Sequence, residues 1–152
     1  MTEVMRAKAP WHLWVVGVAS LLWHAGGAFD YVQSQLANRE YLAQMAAQYT
    51  IPVDRVVAYI QSYPVWADSA WAIGVWAAVL GSILLLFRSR FAFHAFLLSI
   101  AGTSIAFVYQ FTNPLEGFEP GPFAIGFAVA IFLVEVLLIR YAKVMTKLGI
   151  LR

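Results

Sequence analysis

The chain has 152 residues, of which 62% are hydrophobic and 12% charged, and its mean hydropathy is +0.72. A soluble globular domain carries about 25% charged residues, so this chain has too few to cover a water-facing surface and lipid is its main solvent. Ten basic against eight acidic residues are too balanced to point to nucleic acid, and the absence of cysteine removes disulfides, thiolate metal sites, iron–sulfur clusters and thiol nucleophiles together.

The first apolar run spans Trp11 to Tyr31 and is preceded by Arg6, Lys8 and Pro10. With the small residues of "AGGA" (25–28) it has the outline of a secretory signal. Trp11, Trp14 and Trp23 are bulkier than a signal core, so the segment reads as a true span. Inside it, "SLLWHAGGAFDY" (20–31) carries His24 and Asp30. The face of His24 holds Gly17, Ser20, Gly27 and Ala28, a small-residue stripe of the kind along which membrane helices approach closely.

Residues 32–63 form a long connector. Leu42, Met45, Ala46 and Tyr49 recur at helical spacing, as do Val53, Val56, Val57 and Ile60. Two short amphipathic helices are expected there, the second capped by Thr50 with Pro52 in its first turn. They act either as an interfacial connector or as a lid.

The second run, Pro64 to Phe87, carries Asp68 near its start and a stripe of Ala70, Gly74, Ala78 and Ser82. The simplest packing joins the first two runs through their stripes, with His24 hydrogen-bonding across; proton or ligand traffic is the other reading of that histidine. A tight turn with Arg88 and Arg90 leads to the third run, Phe91 to Phe111, which holds His94, Tyr109 and Gln110. The turn-forming "NPLEGFEPGP" (113–122) precedes the fourth run, Phe123 to Tyr141, which holds Glu135. Each run is near the roughly 20 residues a helix needs to cross a bilayer. None alternates as the roughly ten-residue strands of a membrane barrel would. The expected fold is an all-α, four-span bundle in a single domain covering 1–152; the two halves show no internal repeat.

Eight of the ten basic residues fall on one side: Arg6, Lys8, Arg88, Arg90, Arg140, Lys143, Lys147 and Arg152. Arg39 and Arg55 fall on the other, beside Glu40, Asp54, Glu116 and Glu119. The positive-inside rule therefore puts both termini in the cytoplasm.

Measured at 1.5 Å per residue from the cytoplasmic end of each run, His12, His94 and Glu135 lie at about 2, 5 and 9 Å. His24 lies near ~20 Å, and Asp30 and Asp68 both near ~28 Å. The outer pair, with Tyr31, Ser69, Tyr109 and Gln110 at a similar level, reads either as an acidic vestibule for a cation, amine or polyol or as ordinary interfacial carboxylates. Asp68 also sits where a helix dipole favours negative charge. An ionised Glu135 in an apolar run is expensive, so it faces the bundle interior, is protonated or finds a partner. His94 is nearest to it by depth, and the pair reads as a structural hydrogen bond or a proton relay. His24 and His94 stand too far apart to share a haem iron, and His12 sits at the edge of its run. No metal-ligand, nucleophile or phosphate-cradling motif appears. No catalytic set, metal or cofactor is expected.

The segments "PWHLWVVGV" (10–18), "GAFDY" (27–31), "PVWADSAWAIGVWAAVLGSILLLFRSR" (64–90) and "VYQF" (108–111) resemble a group of small proteobacterial inner-membrane proteins. These are four-helix chains of about this length, some labelled "sugar transporter", and commonly with asparagine at the position of His24. The resemblance covers roughly the first 111 residues and implies the same topology and a bacterial inner membrane. Two functional readings follow. One is a non-enzymatic, oligomerising or accessory membrane subunit. The other is a small oligomeric transporter or channel for a polar or cationic solute, with a path from Asp30 and Asp68 past His24 to Glu135 and His94. Ligand in a lipid-facing groove would indicate a third, a hydrophobic-ligand binder.

Overall fold

The structure, a computed structural model, describes residues 8–152; Arg6, counted above among the basic residues, lies outside the described residues. Six helices follow one another: α1 (Trp11–Gln35), α2 (Arg39–Gln48), α3 (Val53–Gln61), α4 (Val65–Leu86), α5 (Phe91–Thr112) and α6 (Pro122–Lys147). There is no strand among the described residues. Four of the helices, α1, α4, α5 and α6, are long and apolar enough to cross a membrane. Their exposed surfaces are apolar, as lipid demands: Trp14, Leu22, Trp76, Leu98, Val129 and Leu137 all face outward.

Helix ends follow from local chemistry. Pro10, Pro52 and Pro64 precede α1, α3 and α4, and Pro122 opens α6, positions where a missing N–H costs nothing. Asn38 caps α2 by accepting hydrogen bonds from the Glu40 and Tyr41 amides. The expected Thr50 cap is not formed. Thr50 adopts φ 57° after α2, and Pro52, which has no side-chain donor or acceptor, stands at the start of α3. Two boundaries also differ from expectation. α1 continues through Gln33, Ser34 and Gln35, and α6 continues to Lys147.

Neighbours in sequence are neighbours in space: α1 packs on α4, α4 on α5, and α5 on α6. The tightest of these contacts is between α4 and α5. A Cβ added at Gly74 would lie 2.8 Å from the Thr103 backbone N, and one at Gly102 would lie 2.6 Å from the Ala70 carbonyl oxygen. The stripe of Ala70 and Gly74 therefore serves α5, whereas the expected partner was α1. α1 uses Gly17, where an added Cβ would meet Leu86. Gly27 is exposed with nothing near it, and Ala28 is half-buried, so the small-residue stripe of α1 is closely packed only from Gly17 to His24. The physical reason is connectivity: α4 and α5 are joined by the short Phe87–Arg90 turn and lie side by side along their whole length.

The apolar core gathers at the end of the bundle that carries this turn. Leu13, Leu85, Ala92, Phe96, Leu138, Ala142 and Met145 are buried there. Gly149, at φ 68°, then turns the chain back under the bundle, a conformation in which glycine has no Cβ penalty. This buries Ile150 and Leu151 against the same core. The tail is tied down by Arg90 N donating to Arg152 O and Arg152 N donating to Arg88 O, both at 2.8 Å. At the opposite end, the connector is held by Leu42 and Ala46, which are buried, and by Tyr49, which packs on Phe118 at 4.7 Å.

Candidate functional site

One buried polar cluster lies inside the bundle, and each long helix contributes one side chain to it. His24 comes from α1, Ser82 from α4, Ser99 from α5 and Glu135 from α6, all 6% exposed or less. Ser82 Oγ donates back to the Ala78 carbonyl at 3.1 Å, the i−4 bond that a serine makes within a helix. Its oxygen is then free to accept, and His24 Nδ1 stands 2.8 Å away. Ser99 Oγ lies 2.8 Å from the Gly74 carbonyl and 2.9 Å from Glu135 Oε1. His24 Nε2 faces the same carboxyl oxygen at 3.3 Å. Two buried atoms in the cluster, His24 Nε2 and Glu135 Oε2, have no hydrogen-bond partner. The ring of the fully buried Phe96 lies 6.1 Å from the imidazole. That ring fits because residue 81 is glycine; a Cβ there would come within 2.6 Å of it.

His24 thus bridges to α4 through Ser82, one of the stripe residues. The partner of Glu135 is His24, with Ser99, and not His94. His94 is exposed on α5, between Phe91 and Phe93. The depth estimate misplaced Glu135 because it started from Tyr141, whereas α6 runs on to Lys147. From the true helix ends, His24 lies ~20 Å along α1 and Glu135 ~18 Å along α6, essentially one level. His12 lies lower on the same seam, with its Nδ1 2.5 Å from the Tyr141 hydroxyl.

The remaining polar residues do not extend this cluster. Asp30 accepts from the Tyr41 hydroxyl at 2.8 Å, and Asp68 accepts from Gln35 Nε2. Each carboxylate at this level is therefore occupied by a neighbour on or next to α1. Tyr109 belongs to an aromatic group at the connector end, 4.8 Å from Tyr63 and 5.4 Å from Trp66. Tyr31 and Trp71 join it, 5.0 Å apart and edge to face, and Gln110 lies beside Tyr63. Outside the spans, burial raises the phenol of Tyr63, and Tyr59 beside it adds to the shift. Tyr41 is pushed up to about 12, first by burial and then by its hydrogen bond to Asp30. Shallow surface depressions lie near the connector. One is lined by Gln48, Tyr49, Thr50, Gly117, Glu119 and Gly121, the other by Arg55, Ala58, Tyr59, Ser62, Leu115 and Glu116. Neither includes Asp30, Asp68, His24, Glu135 or His94. No group of three or more metal-ligating side chains occurs among the described residues.

Ser99 escaped the sequence reading. The signal was present as a third small-residue stripe, Ala92, Ala95, Ser99, Gly102 and Ala106, all buried on one face of α5. Chemically, the cluster can do two things. It can tie four helices together away from water, and it can hold a proton between an imidazole nitrogen and a carboxyl oxygen. No family model, curated protein or solved structure matches the chain.

Proposed function

We propose that this chain is a non-enzymatic, multi-pass protein of the bacterial inner membrane, acting as an oligomerising or accessory subunit with both termini in the cytoplasm. The observation that carries this reading is the inward-facing polar cluster. His24, Ser82, Ser99 and Glu135 engage one another and two α4 carbonyls, and all four side chains are buried. Such an arrangement suits joining helices better than passing a solute. α6 supports contact with a second copy or a partner helix, since only 11% of its most apolar window is buried within the chain. The orientation rests on the basic residues, eight of which share one side. Membership of the small four-helix inner-membrane proteins rests on the motifs at 10–18, 27–31, 64–90 and 108–111.

Native mass spectrometry from nanodiscs tests the role. The expected spectrum contains an oligomer or a complex with a co-purifying membrane protein. The reading is overturned by a lone monomer whose proteoliposomes take up a polar or cationic solute, with uptake lost in Asp30→Asn or Asp68→Asn. That outcome would establish the transporter instead.

A further inference from the structure

We propose that His24 and Glu135 form a one-proton binding site inside the bundle, and that the bound proton holds α6 against α1. The proton count follows from the hydrogen bonds. The Ser82 hydroxyl has one proton and two acceptors in reach, the Ala78 carbonyl at 3.1 Å and His24 Nδ1 at 2.8 Å. Where it donates to the carbonyl, Nδ1 carries the imidazole proton and a bare lone pair at Nε2 faces Glu135 Oε1 at 3.3 Å; where it donates to Nδ1, the imidazole proton is on Nε2. In both arrangements a neutral imidazole beside an ionised Glu135 leaves one net negative charge in the cluster, which one further proton removes. With it, the pair is either a carboxylic acid donating to the imidazole or an imidazolium donating to the carboxylate; both are neutral overall. Without it, a carboxylate is left in the apolar interior, hydrogen-bonded by the Ser99 hydroxyl, which is shared with the Gly74 carbonyl. Glu135 Oε2 has no donor at all. An uncompensated buried charge of this kind destabilises the arrangement that buries it.

α6 is the element free to respond. Its backbone packs against α5, while it reaches α1 through side chains: the apolar group around Leu13, Trp23 on Phe127, His12 on Tyr141, and the His24–Glu135 pair. Among the described residues, no other titratable side chain makes a hydrogen bond or ion pair with the two. α4 and α5 present serines to them, and His94 on α5 is exposed elsewhere. His12 and Tyr141 are the other titratable groups on this seam, and they lie nearer the turn end.

The native sequence has no cysteine, so spin labels can be placed without background. In nanodiscs, Leu22→Cys with Val129→Cys reports the α1–α6 distance from two exposed positions, and Ile73→Cys with Ile105→Cys reports α4–α5. As the pH is raised from mildly acidic to alkaline, the α1–α6 distance should lengthen by several ångström and broaden, while α4–α5 stays unchanged. In Glu135→Gln, which carries no ionisable group at this position, the α1–α6 distance should be the same at every pH. If that variant fails to fold, the double change His24→Leu with Glu135→Leu removes both partners and should be equally insensitive. His12→Gln should keep the native response. An unchanging α1–α6 distance in the native background overturns the proposal. So does a response that survives removal of Glu135 or that disappears in His12→Gln.

Discussion

Replacing Gly102 by alanine perturbs the bundle where it is least able to yield. The added Cβ would sit 2.6 Å from the Ala70 carbonyl oxygen, 2.6 Å from Gly74 N and 3.0 Å from Gly74 Cα. Ordinary contacts are about 3.5–4.0 Å, so α4 and α5 have to part by roughly 1 Å at this level. Every obstacle is backbone, and no side chain can rotate away. The parting also pulls on the Ser99–Gly74 hydrogen bond, 2.8 Å long, which lies one turn away on the same interface. Overpacking of this kind costs about 1–3 kcal/mol. A weakened interhelical hydrogen bond adds about 0.6 kcal/mol, and the helix preference of alanine over glycine returns about 0.5–1 kcal/mol. The net expectation is a loss of about 1–3 kcal/mol. Reversible unfolding in mixed micelles, with Gly126→Ala as control, measures it; nothing lies within 4 Å of a Cβ at Gly126. A Gly102→Ala protein no less stable than the Gly126→Ala control would refute the claim that α4 and α5 meet backbone to backbone.

His24→Asn should cost less stability than His24→Leu, because an amide can still bond Ser82 although it gives up the contact with Glu135, and His24→Leu should cost about 0.6–2 kcal/mol; equal melting of the two variants would mean the imidazole makes no bridging bond to Ser82. Tyr41, with its ordinary value of 10.0 pushed up to about 12 by burial and Asp30, prefers to stay protonated in the folded chain. Its contribution to stability is therefore intact below 10.0 and is lost as the pH rises through about 12. Ultraviolet tyrosinate titration should show a late-titrating phenol that Tyr41→Phe removes, and an unchanged titration curve would contradict the Tyr41–Asp30 bond. A reporter active only in the periplasm, fused after Arg152, should be silent; strong activity would reverse the proposed orientation.

The four long helices were legible because length and hydropathy alone specify them. Their neighbours were not. A stripe such as Ala70, Gly74, Ala78 and Ser82 marks a face that packs closely, but composition does not say which helix meets it. In the structure its first part serves α5 and Ser82 serves α1. The bridging role of His24 was readable from the small residues beside it, up to the point where Gly27 turns out to be exposed. The partnership with Glu135 was obscured by helix ends. Arg140, Lys143 and Lys147 look like the close of a span, yet the helix carries them onward, as long basic side chains at a membrane boundary permit. Ser99 was passed over because a serine in an apolar helix usually bonds its own preceding turn.

A double-mutant cycle between His24 and Glu135, read by reversible unfolding in nanodiscs or bicelles, tests most directly the claim that a polar cluster inside the bundle joins its four helices. Each residue is replaced by leucine singly and together, and the same cycle is run on His94 and Glu135. The account predicts a coupling of about 0.6–1.7 kcal/mol for His24 with Glu135, the range of interhelical hydrogen bonds in membranes. For His94 with Glu135 it predicts additivity within about 0.3–0.5 kcal/mol. Additive losses at His24 and Glu135, or strong coupling of Glu135 to His94, would contradict it.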